Sequence, residues 1–223
     1  MINFYCPGFV EGIDAYIELI KLQKEYPYLF NPDVNIKKIF GCFPNMIWNG
    51  GGFCFGDIIL PRQVEEIVQK YTDLNIPLQL TCTNPMLQPT DVYDRYCNFI
   101  MSIFDNGLNE ILVSSPYLED YIRSKYPNYK IDKSIIASEE EYNYEEALEY
   151  YNTVVLPRRH GKNFDFLKTI KDKNKDKIEI LCNDPCPENC PRLYEHYKQF
   201  GKVTLYEIEP EDKRAHCIMD FRE

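Results

Sequence analysis

The feature that most restricts the fold is a regular alternation of short apolar runs with amphipathic stretches. Residues 2–6 (INFYC), 36–42 (IKKIFGC), 77–83 (PLQLTCT) and 109–115 (NEILVSS) read as strands. So do 130–137 (KIDKSIIA), 153–157 (TVVLP), 177–183 (KIEILCN) and 202–209 (KVTLYEIE). Each is short and apolar, as strands are. Between them lie stretches with helical spacing: 13–26, the run from Pro61, Asp91 to Phe104, SPYLEDYIRSKY, EYNYEEALEYY, and the runs from 163 and 191. Pro61 and Pro116 stand where the first turn of a helix tolerates a missing N–H, and Ser115 is placed as an N-cap.

Eight strands with seven intervening helices predict βα repetition. Right-handed crossovers permit an open doubly wound sheet or a (β/α)8 barrel. Similar units without a dinucleotide fingerprint predict the barrel, an α/β fold. The chain has 223 residues, short of the ~250 typical of that fold, and no eighth helix follows the last strand. The barrel is therefore expected to be incomplete or distorted at its C-terminal end. No linker breaks the alternation, so residues 1–223 read as one domain with a cysteine-rich segment at 182–217.

A barrel gathers function at the C-terminal ends of its strands. Those ends carry Cys42, Thr81, Thr83 and Asn84, Ser114 and Ser115, Ser134, Arg158 to His160, and Asn183 with Asp184. Arg158 and Arg159 are suited to a carboxylate or phosphate, and His160 to moving a proton near neutral pH. Neighbouring residues on a strand point to opposite sides, so one of the two arginines is expected to face the mouth. The alternative is a pair of solvated arginines before a turn. The glycine-rich stretch at 48–57 lacks the pattern of a phosphate-binding loop. Trp48 reads as a lid or a packing residue, and Asn84 as a mouth amide or a turn initiator.

The strongest chemical signal is CNDPCPENCP at 182–191, which spaces Cys182, Cys186 and Cys190 as CxxxCxxxC, with Cys217 further on. Thiolates suit zinc or an iron–sulfur cluster. The alternative is free thiols in a loop. His196 and His216 are near enough in sequence to replace a sulfur, although His196, inside a helix, reads as a surface or core residue. The N-terminus lacks a signal peptide's basic start, and no apolar run reaches the 18 residues of a membrane helix. The nine cysteines are therefore expected in a reducing, cytoplasmic setting rather than in a disulfide framework. The net charge of −10 argues against bulk DNA binding. An aromatic content of 14% excludes a disordered chain.

The segment LPRRHGKNFDFLKTIKDKNKDKIEILCNDPCPENCPRLYEHY resembles the peptidase U32-like barrel proteins. The resemblance rests on Arg158 and Arg159, on Asn183, Cys186, Cys190 and Pro191, and on His196-Tyr197. FGCFPNMIWNGGG, LTCTNP and LVSSPYLEDYIRSKYP are similar in style. It implies a cytoplasmic barrel carrying a [4Fe–4S] cluster, in a family that hydroxylates RNA bases or quinone precursors without oxygen. Cys186 and Cys190 transfer as ligands, Cys217 stands as a third, and the fourth is either Cys182 or Cys42. The chain lacks the family's long accessory regions.

Two functions follow. One is an iron–sulfur enzyme acting on a small or nucleotide-derived anion, with an RNA base among the substrates and Arg158, Arg159, His160 and Asn183 beside the cluster. The other is a non-catalytic binding or scaffold barrel with structural zinc or free cysteines.

Overall fold

The structure is a computed structural model that describes residues 2–50, 57, 59–137, 143–182, 186 and 190–207. Its sheet contains β1 (Ile2–Pro7), β2 (Val34–Gly41), β3 (Leu78–Cys82) and β4 (Glu110–Val113). β5 (Lys130–Lys133), β6 (Val154–Val155) and β7 (Ile178–Glu179) complete it. Every ladder is parallel, and spatial order follows chain order. The helices are α1 (Ile13–Glu25), α2 (Pro61–Asp73), α3 (Arg95–Phe104), α4 (Pro116–Lys125), α5 (Tyr144–Ala147), α6 (Arg158–Gly161), α7 (Phe164–Thr169), α8 (Asp172–Lys175) and α9 (Leu193–Thr204). None of them is long and apolar enough to cross a membrane.

The sheet curls. β2 and β7 are five strands apart, which a flat sheet would hold at roughly 24 Å. Yet Lys38 Nζ on β2 lies 3.8 Å from a carboxylate oxygen of Glu179 on β7. β1 and β7 share no ladder among the described residues, so the sheet is a half-barrel with open edges. A closed (β/α)8 barrel is not what these seven strands form.

The expected eighth strand at 202–209 is corrected: α9 runs through it to Thr204, and residues 208–223 lie outside the described residues. Leu193, Tyr197 and Gly201 recur at helical spacing and are buried on one face. Their burial outweighs the local alternation of KVTLYEIE. Gly201 is required there, because a side chain at that position would run into Asn84 Oδ1 and Met86. Asn84 Nδ2 in turn donates to Gly201 O at 3.1 Å and to Ile47 O at 2.8 Å.

Period-two alternation divides the strands between two environments. On β3, Leu78, Leu80 and Cys82 join the main core with Ile111 and Val113 of β4 and Ile131 of β5. That core lies outside the curl, under Val64, Val68 and Tyr71 of α2, Ile100 and Phe104 of α3, and Leu118 and Ile122 of α4. Pro61 opens α2 and Pro116 opens α4 at the expected positions. Ser115 makes no side-chain cap, whereas Asp94 Oδ1 accepts from Cys97 N at 2.7 Å and fixes the start of α3.

Replacing Gly201 with Ala should destabilise the chain by about 1–3 kcal/mol, the usual range for overpacking. Chemical denaturation with hydrogen exchange should place the lost protection in α9; unchanged stability would mean that α9 is not held against Asn84.

Candidate functional site

The inner face of the curl begins with a charged layer. Lys38 of β2 is 2% exposed and is among the largest fully buried side chains described. Its ammonium donates to Glu110 Oε2 at 2.7 Å and to Asp132 Oδ2 at 3.0 Å, and lies 4.5 Å from the ring centre of Tyr5 on β1. Gln79 Nε2 of β3 donates to the same Asp132 oxygen at 2.6 Å. The other Asp132 oxygen accepts from Thr153 N at 2.9 Å and Asn152 Nδ2 at 3.0 Å.

These contacts set the charges. Burial opposes the ammonium of Lys38, but Asp132, Glu179 and Glu110 outweigh it and hold the group charged well above the usual lysine range. Burial also opposes ionisation of Asp132, yet Lys38 and the bonds from Thr153, Asn152 and Gln79 hold its carboxyl below the usual value. Burial and the nearby Asp132 push Glu110 up despite its bond from Lys38. Glu179, buried and too far from Lys38 for a hydrogen bond, is pushed up to about 7.

Above this layer opens a cavity of about 730 Å³, within the range of small-molecule sites. Gln79 and Glu179 belong to its wall, with Phe40, Thr81, Leu112, Ser134, Val155 and Leu181 one pleat higher and Cys42 and Thr83 near the rim. α9 covers the mouth with Leu193, His196, Tyr197 and Phe200.

Of the three residues Arg158, Arg159 and His160, Arg158 lines the cavity. They form the first turn of α6, not the end of a strand. Arg158 is 7% exposed, and its guanidinium stands 5.7 Å from the ring centre of Tyr197. His160 stacks on Phe166 at 4.1 Å, outside the cavity lining, and burial with the neighbouring Arg159 pushes its imidazole below the usual range. Trp48 is fully buried and donates from Nε1 to Asp91 O at 2.8 Å, so it packs rather than closes over a ligand. Asn84 ties α9 to the loop that follows β2 instead of presenting its amide to the mouth.

Cys186 lines the cavity, Cys190 packs with it against Leu193 and Tyr197, and Cys182 is exposed. Asn183, Cys217, His216 and the stretch 51–56 lie outside the described residues. Among the described residues, no three His, Cys, Asp or Glu side chains converge as a metal site requires. The described cysteines therefore do not by themselves fit a cluster.

Sequence reasoning missed the charged layer, while His196 sits within a helix, α9, as expected, and lines the cavity from there. The signal for the layer was present: Lys38, Gln79, Glu110, Asp132 and Glu179 are each a polar residue beside an apolar one in a strand.

No family model and no curated protein matches the sequence. Among solved structures, the U32 peptidase Mk0906 is similar, with a TM-score of 0.52 and 14% identity over 84% of this chain and 77% of that one. The fold is U32-like. At this identity the likeness carries the architecture alone, and the U32-like half-barrel holds its polar layer and cavity inside the curl.

Lys38→Met should destabilise the protein by about 3–5 kcal/mol at neutral pH, because it leaves buried carboxylates without their cation. The gap to the unchanged protein should narrow as pH falls through the carboxylate range, since protonated carboxyls no longer need the ammonium. Denaturation curves across pH test this; a gap independent of pH would remove the electrostatic account.

Proposed function

We propose that this U32-like half-barrel takes a small organic anion into its cavity and acts on it there, with Arg158 holding the anionic group. The observation that carries the reading is the placement of Arg158 in the wall of a cavity at the C-terminal ends of the strands. A guanidinium stays charged at any working pH, so it presents fixed positive charge to whatever enters. The hydroxyl of Thr83 on the same wall, without a partner among the described residues, adds short-range hydrogen bonding. Nucleotide-derived anions fall within this class.

Calorimetric titration with dicarboxylates, inorganic phosphate and nucleoside monophosphates tests the reading. Arg158→Ala should weaken binding about 10–100-fold, as loss of a charge-assisted pair does, while Arg159→Ala should leave it within twofold. Equal binding by the Arg158 variant would overturn it.

A second reading adds redox chemistry. It is favoured by Cys186, which lines the same cavity, and by Cys190 in the same apolar cluster. A cofactor held by these thiols, with Cys182 and Cys217, would abut the bound anion. Since the described residues do not assemble the ligand set, no redox step is derived. Protein purified without oxygen should then contain iron and sulfide and be brown, and Cys186→Ser with Cys190→Ser should lose both. Colourless protein containing zinc would point to the scaffold alternative.

A further inference from the structure

We propose that the floor of the cavity is a subsite for an organic cation, a guanidinium, amidinium or primary ammonium group, received by the carboxylate of Glu179 and the amide oxygen of Gln79. The proposal rests on the reading above that a ligand enters this cavity, and it adds that the ligand is dipolar. Its anionic end meets Arg158 and its cationic end meets the floor.

Hydrogen-bond accounting leads there. Three carboxylates, from Glu110, Asp132 and Glu179, face the single ammonium of Lys38. Glu110 and Asp132 take its hydrogen bonds, whereas Glu179 stands off at 3.8 Å and its Oε2 has no hydrogen-bond partner among the described residues. Gln79 is 0% exposed, and its Oε1 is likewise without a partner. Its amide cannot turn round to escape this. A carboxylate accepts only, so the atom 2.6 Å from Asp132 Oδ2 must be the donating Nε2, which fixes Oε1 as the free acceptor. Two buried acceptors on the wall of one cavity call for donors, because leaving such groups unpaired costs about 1–3 kcal/mol each. An excess of negative charge calls for the donor to be a cation. The anionic end of a ligand would be repelled there, which fixes its orientation.

Without a cation, the floor relieves the same imbalance by taking up a proton. Burial pushes Glu179 up to about 7, Lys38 and more weakly Lys37 of β2 oppose this, and Asp132 and Glu110 add to it. Tyr5 faces the cluster from β1, and its phenol is pushed up to about 12, chiefly by burial. A cation arriving at Glu179 would displace the proton, so its affinity should rise with pH across about 7.

The test compares guanidinoacetate, 4-guanidinobutyrate and arginine with acetate and butyrate, by calorimetric titration of the whole chain at pH 6 and pH 8. At least one guanidinium compound should bind at least tenfold tighter than its plain carboxylate, and this preference should grow from pH 6 to pH 8. Glu179→Gln, nearly isosteric, should abolish the preference and keep the weaker carboxylate binding. The pH comparison uses the unaltered protein, so it decides the matter even if the variant fails to fold. Carboxylates that bind through Arg158 with no gain from a guanidinium would overturn this proposal and leave the anion reading standing. Failure of every compound to bind would overturn both. Stabilisation by magnesium chloride, with none by the guanidinium compounds, would overturn it in favour of a metal ion.

Discussion

Lys38 reaches from β2 to carboxylates on β4, β5 and β7, and that reach exists only because the parallel sheet curls. The ammonium and its carboxylates occupy the space that apolar side chains fill in an ordinary barrel. Buried ion pairs of this kind give uncertain net stability, since desolvation opposes the Coulomb attraction. Their consistent effect is on geometry. A sheet that flattened would pull three carboxylates away from their shared cation, so the curl and the charge cluster require one another.

This division of labour explains why the apolar core lies where it does. The outward residues of β3, β4 and β5 pack beneath α2, α3 and α4, and that layer supplies most of the hydrophobic burial. The inner face is left to polar groups and to space. Because the sheet is open, the space is closed from above by α9, which rests on Asn84 through a residue without a side chain. The cavity is therefore a product of three parts: a curled sheet, a polar floor and a helical cover.

The chemistry of the cavity is graded from floor to rim. Negative charge and hydrogen-bond acceptors lie at the floor with Glu179 and Gln79, hydroxyl and apolar groups line the middle, and Arg158, His196 and Cys186 stand higher, toward the cover. Under the reading proposed above, such a gradient would orient a dipolar ligand, which is how a site gains from positioning. The U32-like architecture gives the frame, and these side chains belong to this chain's own sequence.

The sequence by itself determined the repeating strand and helix units, the parallel sheet, the starts of α2 and α4 at Pro61 and Pro116, and the gathering of polar residues at strand ends. Those follow from local spacing and backbone chemistry, which act within a few residues. The eighth element was decided by tertiary packing: KVTLYEIE alternates like a strand, but the buried stripe of Leu193, Tyr197 and Gly201 makes the segment up to Thr204 a helix. Arg158 and His160 are two positions apart in sequence, yet one faces the cavity and the other stacks on Phe166, because a helical turn rather than a strand carries them. The charged floor was written in the strands as one polar residue on each of β2, β3, β4, β5 and β7. Their meeting was decided only by the curl, which brings Lys38 and Glu179 within 3.8 Å across the four strands between β2 and β7, a bend that local sequence cannot make by itself.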